Sequence, residues 1–311
     1  MQAIVLCAGY GTRLRPITDH IPKILLPVLD RPLLANTIYY LKRHGVSRIA
    51  VNTHHLAQPV DDFLVERRRF GVEVFANHEP EILGTGGGVG GLARYISDDN
   101  FVIYNGDIVT NINLGEAFDF HLKRKTLVTM ILHDYPKFNK VAVDRHGRVI
   151  DIEGSLGRQK ESERVLAFSA VAIAQRKLFD RLPKNKFCDM KEVYLELLSE
   201  RPDKVGGFVA RGHSWRDIGT AGDYLALHRD ILVGREPVLV DCELPEGPVF
   251  VGRNALVSSQ ARLGGFVSVG HDSRIEDARV SDSVVFSHTL IRAGEDYANC
   301  VVGPDWQVRV G

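Results

Sequence analysis

The sequence has no surplus of charge. Over 311 residues, 39 Lys and Arg offset 39 Asp and Glu. A protein that grips a nucleic-acid backbone needs a basic excess, so that class is disfavoured. The one dense basic run, Glu66-Arg67-Arg68-Arg69, reads as a solvated helix face. Cysteine is scarce: four residues, Cys7, Cys188, Cys242 and Cys300, with no C-x-x-C spacing. Neither a disulfide framework nor a cysteine zinc site is suggested. No apolar run approaches the ~18 residues of a membrane span. The apolar N-terminal run is short, lacks a basic leader and does not read as a secretory signal. The expectation is a chain of the reducing cytoplasm with no membrane partner. An apolar fraction of 44% still allows a sizeable core, enough for a large domain and a smaller one.

What is present is concentrated at the start. Gln2 to Ala8 (QAIVLCA) is a short apolar run that empties into Gly9-Tyr-Gly-Thr-Arg13, followed by Pro22-Lys-Ile-Leu-Leu-Pro27. A buried strand leading into a glycine turn, with cations close behind, suits a polyphosphate. Gly9 and Gly11 let backbone N–H groups approach an anion, and Arg13 and Lys23 supply charge. Leu14 stands where a dinucleotide fingerprint needs its third glycine. No G-x-x-x-x-G-K-[ST] string occurs, so that fingerprint and the P-loop both fail. A nicotinamide oxidoreductase is thereby disfavoured.

The stretch A-G-Y-G-T-R-L-R-P with P-K-I-L-L-P closely resembles the signature of the sugar-1-phosphate nucleotidyltransferases, above all their mannose-1-phosphate guanylyltransferase branch. Ile24 departs from the proline usual there and leaves Lys23 in place. The resemblance implies that Leu6, Ala8, Gly9, Gly11, Thr12 and Arg13 face the nucleotide. It covers residues 1 to about 232.

Further along, Leu34, Ile38 and Leu41 mark one buried face of a helix opened by Pro32 and closed at Gly45. Strands are expected at 48–52, 72–75, 101–104 and 128–132, with a helix at 59–69. This alternation predicts an α/β fold, Rossmann-like, with a mostly parallel sheet and helices on both faces. His54 and His55 read as solvated or capping residues. Glu81-Ile-Leu-Gly-Thr-Gly-Gly-Gly88 is a second glycine cluster, expected to precede a helix at 89–96. Ligands in such sheets sit beyond the carboxyl ends of strands. In the resembled family an L-G-T string contacts base and ribose, which places Gly84, Thr85 and Gly86 in the nucleotide site and leans toward GTP.

Asn105-Gly106-Asp107 ends a strand, where a carboxylate is well placed for a hard cation. By the resemblance, Gly106 borders the nucleotide, Asp107 is the first metal aspartate, and Asp217 in Trp215-Arg-Asp-Ile-Gly-Thr220 is the second. Trp215 reads as a packing anchor. A hairpin is expected around Asp144–Gly147, ending at Glu153, which matches a sugar-contacting glutamate although the family's following lysine and proline are absent. A polar loop is expected at 156–164. Ala170 replaces the glycine of the family's F-x-G and would reshape the sugar pocket. Asp189 and Glu192 have capping-box spacing.

From about Val238 the pattern changes. Val251, Val257, Leu263, Val269 and Ile275 recur at six-residue steps, as in a β-helix. This resembles the short left-handed β-helix tails that many nucleotidyltransferases of this class carry and use to assemble. The expected domains are therefore 1–232, catalytic, and 233–311, a hexapeptide-repeat β-helix, in a homo-oligomer. The expected reaction joins a nucleoside triphosphate, GTP favoured, to a sugar 1-phosphate with Mg2+, through Arg13, Lys23, Asp107 and Asp217. A uridylyl or other base preference, and a non-catalytic nucleotide-sugar-binding paralogue, stay open as alternatives.

Overall fold

A computed structural model describes the chain except residues 67–69, 184–185 and 235–243. The arginine run 67–69, Cys242 and the start of the repeat region at Val238 lie outside the described residues. Contacts divide the chain into two compact units.

The first unit comprises Met1–Gly9, Tyr40–Ile108 and Ile112–Trp215. It is built on a nine-stranded sheet. Four strands run parallel side by side: Asn100–Asn105, Gln2–Leu6, Arg48–Thr53 and Glu73–His78. The first three are near-continuous buried apolar runs, as expected for strands covered on both faces, while Glu73–His78 is a half-buried edge strand. Ile4 stands between Ala50 and Ile103 in register, and all three are buried. Beyond Asn100–Asn105 the sheet turns antiparallel through the long strand Arg164–Gln175. That strand also pairs with Val128–His133 and with the expected hairpin, Asn139–Val143 against Val149–Ile152. Ile4, Ala50 and Ile103 pack with Val89 and Leu92, and with Val193, Tyr194 and Leu197 of the helix Met190–Glu200. Truncating one such buried Leu to Ala costs about 2–5 kcal/mol. Asp189 caps that helix by accepting from the Lys191 N–H, the role its spacing predicted.

Several boundaries differ from the sequence reading. The helix expected at 89–96 is Gly84–Gly91, with only a short 3-10 turn at Ala93–Tyr95. Glycine's poor helix propensity hides this start, and tertiary packing overrides it. The third strand runs three residues beyond its expected end, to His78. The polar loop 156–164 contains a short turn at Gln159–Glu161. It is pinned by Asp151, fully buried, whose carboxylate accepts from the Leu156 and Arg158 N–H groups at 3.0 and 2.9 Å. The helix Leu33–Arg43 buries Leu34, Ile38 and Leu41 as expected, and Gly45 beyond it has a φ of 79°.

The second unit comprises Tyr10–Tyr39, Val109–Asn111 and Arg216–Gly311. Its parallel strands Val249–Val251, Arg262–Val269, Arg279–Val285 and Cys300–Val302 stack as successive coils. Leu256–Val257, Arg274–Ile275 and Leu290–Ile291 form a second face. This is a β-helix, and Val267, Val269, Ile275, Val280, Val285 and Ile291 fill it. Val251, the first of the six-residue positions, pairs in register with the buried Val269 yet is itself 45% exposed. Val249, two residues back on the same face, packs on the coil core. Gln307–Arg309 turns back antiparallel on the last coil. The segment 10–39 packs on the helix Ala221–Leu232 through Leu14, Ile17, Leu26 and Leu33 against Ile218, Tyr224 and Ile231. His228 is fully buried, and burial pulls its pKa down to about 4. Its neutral ring can then donate from Nδ1 to the Tyr224 carbonyl and accept at Nε2 from the Leu29 N–H.

Candidate active site

In the first unit, the glycine turn begins where the sheet ends. Leu6 is the last residue of the first strand and pairs with Asn105. The Gly106 N–H donates to the Leu6 carbonyl at 2.9 Å, so the Asn105-Gly106-Asp107 turn is fastened to the start of the loop. Ala8 is buried, whereas a Cβ built on Gly9 would meet nothing within 4 Å. Asp107 is close enough to be felt by its neighbours. Burial, and after it the charge of Asp107, pushes the Cys7 thiol and the Tyr104 hydroxyl far above their ordinary values. Cys7 is therefore an inert thiol beside an acidic group.

Beneath the loop lies a buried relay that the sequence reading missed. Asn52, at the carboxyl end of its strand, accepts the Cys7 N–H at 2.7 Å. Its amide nitrogen donates to Glu79 Oε1 at 2.8 Å, and Glu79 Oε2 accepts the Leu83 N–H at 3.3 Å. Asn52 and Glu79 are 3% and 2% exposed. The chain of bonds thus fixes the first glycine turn relative to the second glycine cluster. An amide at a strand end was the available signal, but it needs a partner from 27 residues away to mean anything.

Gly84, Thr85 and Gly86 form the first turn of their helix. The Gly86 and Gly87 N–H groups donate to the Cys188 carbonyl at 2.8 and 3.2 Å. Thr85 Oγ1 donates to Asp189 at 3.2 Å and accepts the Met190 N–H at 2.8 Å, so it helps cap the next helix. Asp189 also accepts the Lys191 N–H, and the Lys191 ammonium reaches Glu153 at 3.1 Å. Glu153 is held on its other oxygen by Lys140, also at 3.1 Å. These two lysines keep its carboxyl below the usual carboxylate range. Neither lysine was singled out from sequence: Lys140 meets Glu153 across the hairpin, and Lys191 reaches it from the helix Met190–Glu200. Ala170 sits in a register shift of the long strand with a φ of 60°, the left-handed region that glycine tolerates best. Next to it, the Ser169 carbonyl accepts from Trp215 Nε1 at 2.9 Å, and Trp215 is buried among Tyr135, Phe138 and His133. Trp215 is thus the expected packing anchor. His54 Nδ1 donates to the Glu79 carbonyl at 2.7 Å.

In the second unit, the remaining expected residues gather. Gly11 has a φ of 63°, and its carbonyl accepts from Thr18 Oγ1 at 2.9 Å. A Cβ there would lie 2.8 Å from Thr18 and 3.5 Å from the Lys23 stem. Thr12 and Arg13 form a 3-10 turn, and Lys23 opens another with Ile24 buried behind it. The Arg13 guanidinium lies over Gly219, where a Cβ would come within 2.8 Å of it. Gly219 is two residues past Asp217, which ends the strand Trp215–Asp217. That strand pairs with Ile108–Thr110. So Gly11, Arg13, Lys23 and the Asp217 strand are neighbours in this unit. Asp107 and Glu153 belong to the first unit.

The donor chemistry at the two aspartates is carboxylate alone, with no imidazole or thiolate in either motif, which suits a hard ion such as Mg2+. The fold is that of an α/β protein, and comparison with known proteins gives the class. The nucleotidyl transferase family model matches residues 2–233, and the chain belongs to that family. It is 27% identical to a mannose-1-phosphate guanylyltransferase of Mycobacterium tuberculosis, over 94% of this chain and 82% of that protein. It is 26% identical to a D-glycero-alpha-D-manno-heptose 1-phosphate guanylyltransferase of Aneurinibacillus thermoaerophilus, over 74% of this chain and 98% of that one. A UTP–glucose-1-phosphate uridylyltransferase of Synechocystis is 25% identical, over 94% and 85%. Among solved structures, HddC from Yersinia pseudotuberculosis superposes with a TM-score of 0.60 at 24% identity, over 73% of this chain and 97% of that one, a likeness of fold. No helix among the described residues is long and apolar enough to cross a membrane.

Proposed function

We propose that this chain is a sugar-1-phosphate nucleotidyltransferase that makes a nucleotide sugar and pyrophosphate, with GTP and a mannose- or heptose-type sugar 1-phosphate as the favoured pair. The observation that carries the reading is Asp107, held by the Gly106–Leu6 hydrogen bond at the mouth of the first glycine turn. Relatives named for guanylyl transfer and the Leu83-Gly84-Thr85 string favour GTP; the Synechocystis relative, named for UTP, keeps uridylyl transfer as the second reading.

An oxygen of the sugar 1-phosphate forms a bond to the α-phosphorus. The bond from that phosphorus to the α–β bridging oxygen breaks, and pyrophosphate leaves with the electron pair. The attacking oxygen is already anionic at neutral pH, so no general base is needed. Positioning and charge neutralisation carry the rate. Leu6, Ala8, Gly9, Gly11, Thr12 and Gly106 line the nucleotide, with Gly84, Thr85 and Gly86 toward its base. Arg13 braces the leaving phosphates and Lys23 the α-phosphate. Asp107 and Asp217 are the carboxylates that would hold Mg2+, which would offset charge on the phosphates. Glu153 and Ala170 border the sugar. The proposed division is a catalytic domain at 1–232 and a β-helix domain at 233–311, in a cytoplasmic homo-oligomer.

The test is pyrophosphate release with Mg2+ across four nucleoside triphosphates and a panel of sugar 1-phosphates. Asp107→Asn, Asp217→Asn and Lys23→Ala should each lower turnover on the order of 10²–10³-fold while melting normally. Near-normal turnover in a folded variant removes that residue from the scheme. No turnover on any pair, with nucleotide-sugar binding intact, would mark a non-catalytic paralogue.

A further inference from the structure

One cluster outside the proposed active site has the makings of a metal site. His271, Asp272 and His288 lie on successive coils of the β-helix, and one ligand atom from each falls within 4.8 Å of the others. The backbone holds them there. Asp272 and His288 take left-handed conformations, with φ of 56° and 60°, as does Asn254 one coil earlier, at 58°. The Asp272 N–H donates to the Arg253 carbonyl at 2.9 Å, and the His288 N–H to the His271 carbonyl at 3.1 Å, so the three corners are stacked by main-chain bonds. The coils are in close contact: a Cβ on Gly270 would collide with the Ser287 backbone.

The side chains are also ordered. Asn254 Nδ2 donates to Asp272 Oδ1 at 3.0 Å, and His271 Nδ1 bonds Oδ2 at 2.8 Å. The two imidazole rings meet edge to face with centroids 5.0 Å apart. Ligand atoms on one tetrahedral ion stand roughly 3.3 Å apart, given Zn–N and Zn–O bonds of about 2.0–2.2 Å. Side-chain rotations alone close that gap. Asn254 keeps Oδ1; the ion takes Oδ2 in place of its hydrogen bond with His271, whose ring nitrogen turns to the ion in its unprotonated tautomer. Two imidazoles and one carboxylate are a borderline donor set. It prefers Zn2+ over the hard ions Mg2+ and Ca2+, and leaves a fourth position for water.

We propose that His271, Asp272 and His288 form a Zn2+ site that ties two consecutive coils of the β-helix together. Because an ion held across two coils binds the folded chain and not the unfolded one, it should raise the melting temperature.

The experiment titrates ZnCl2 into metal-stripped full-length protein in excess Mg2+, which keeps a carboxylate-only site occupied, and follows heat and melting temperature. The expected result is one saturable Zn2+ per chain and a higher melting temperature. His288→Ala should lose the saturable step, and Asn254→Ala, which frees Asp272, should weaken it about tenfold. Turnover in the pyrophosphate assay should be unchanged in both, so this test and that of the catalytic reading fail separately. An unchanged Zn2+ step in a His271→Ala/His288→Ala chain that melts normally without metal would overturn the proposal. So would the absence of any saturable step in the parent.

Discussion

The two glycine-rich segments of the first unit and its continuation have similar compositions and opposite surroundings. Around Gly9 the backbone is open, and a methyl group would touch nothing. Gly86 and Gly87, by contrast, are a helix start pressed against the backbone at 186–188, with a would-be Cβ on Gly87 2.5 Å from the Lys186 carbonyl. Their first N–H groups are already bonded to Cys188. At Gly9 the first segment has room for a ligand along its backbone; at Gly86 and Gly87 the second uses missing side chains to let two pieces of the protein meet. Glycine content alone cannot tell these roles apart, whereas the neighbours can.

The sharpest way to break this contrast is Gly87→Ala. The methyl would overlap both the Lys186 carbonyl and the Leu83 side chain, 2.7 Å away, and overpacking of this kind costs about 1–3 kcal/mol. Urea unfolding should show that loss; an unchanged midpoint would mean the segment at 186–188 yields freely. Next is Asn52→Ala, which strands the Cys7 N–H and one Glu79 oxygen in a buried place. A loss of about 1–3 kcal/mol is expected, together with reduced turnover, since both glycine segments lose their common support. Ala170→Gly should go the other way by about 1 kcal/mol, because it relieves a left-handed alanine; a lower melting temperature would show that the methyl packs usefully. Gly9→Ala should move stability by less than about 0.5 kcal/mol, as for a substitution that touches nothing, yet lower turnover. If both stability and turnover stay put, Gly9 does not line the nucleotide.

Much of the fold was legible before any coordinates. The runs QAIVL, RIAVN and FVIY announced parallel strands because strands covered on both faces need not alternate. The hairpin at 139–152 and the helix cap at Asp189 were equally plain, since both depend on residues a few positions apart. What escaped was non-local. The Asn52–Glu79 relay joins a strand end to two loops. Glu153 is shared by Lys140 and Lys191, from opposite directions in the chain. The Gly84 helix start forms only because 186–188 covers it. Val251 keeps the six-residue register, opposite the buried Val269, and is exposed all the same, because a repeat count gives the face of a residue and not how far it is covered. The candidate site was visible as motifs, and the groups that brace those motifs were not.

The returning strand Gln307–Arg309 has a consequence for how molecules can join. It runs antiparallel along Cys300–Val302, at the last coil of the stack. An uncovered final coil would present unmatched N–H and C=O groups to any passing strand, the route by which β-solenoids polymerise end to end. Here the edge passes to a three-residue strand that runs against the coils, so a coil of another copy meeting it would not find the parallel register on which the stack is built.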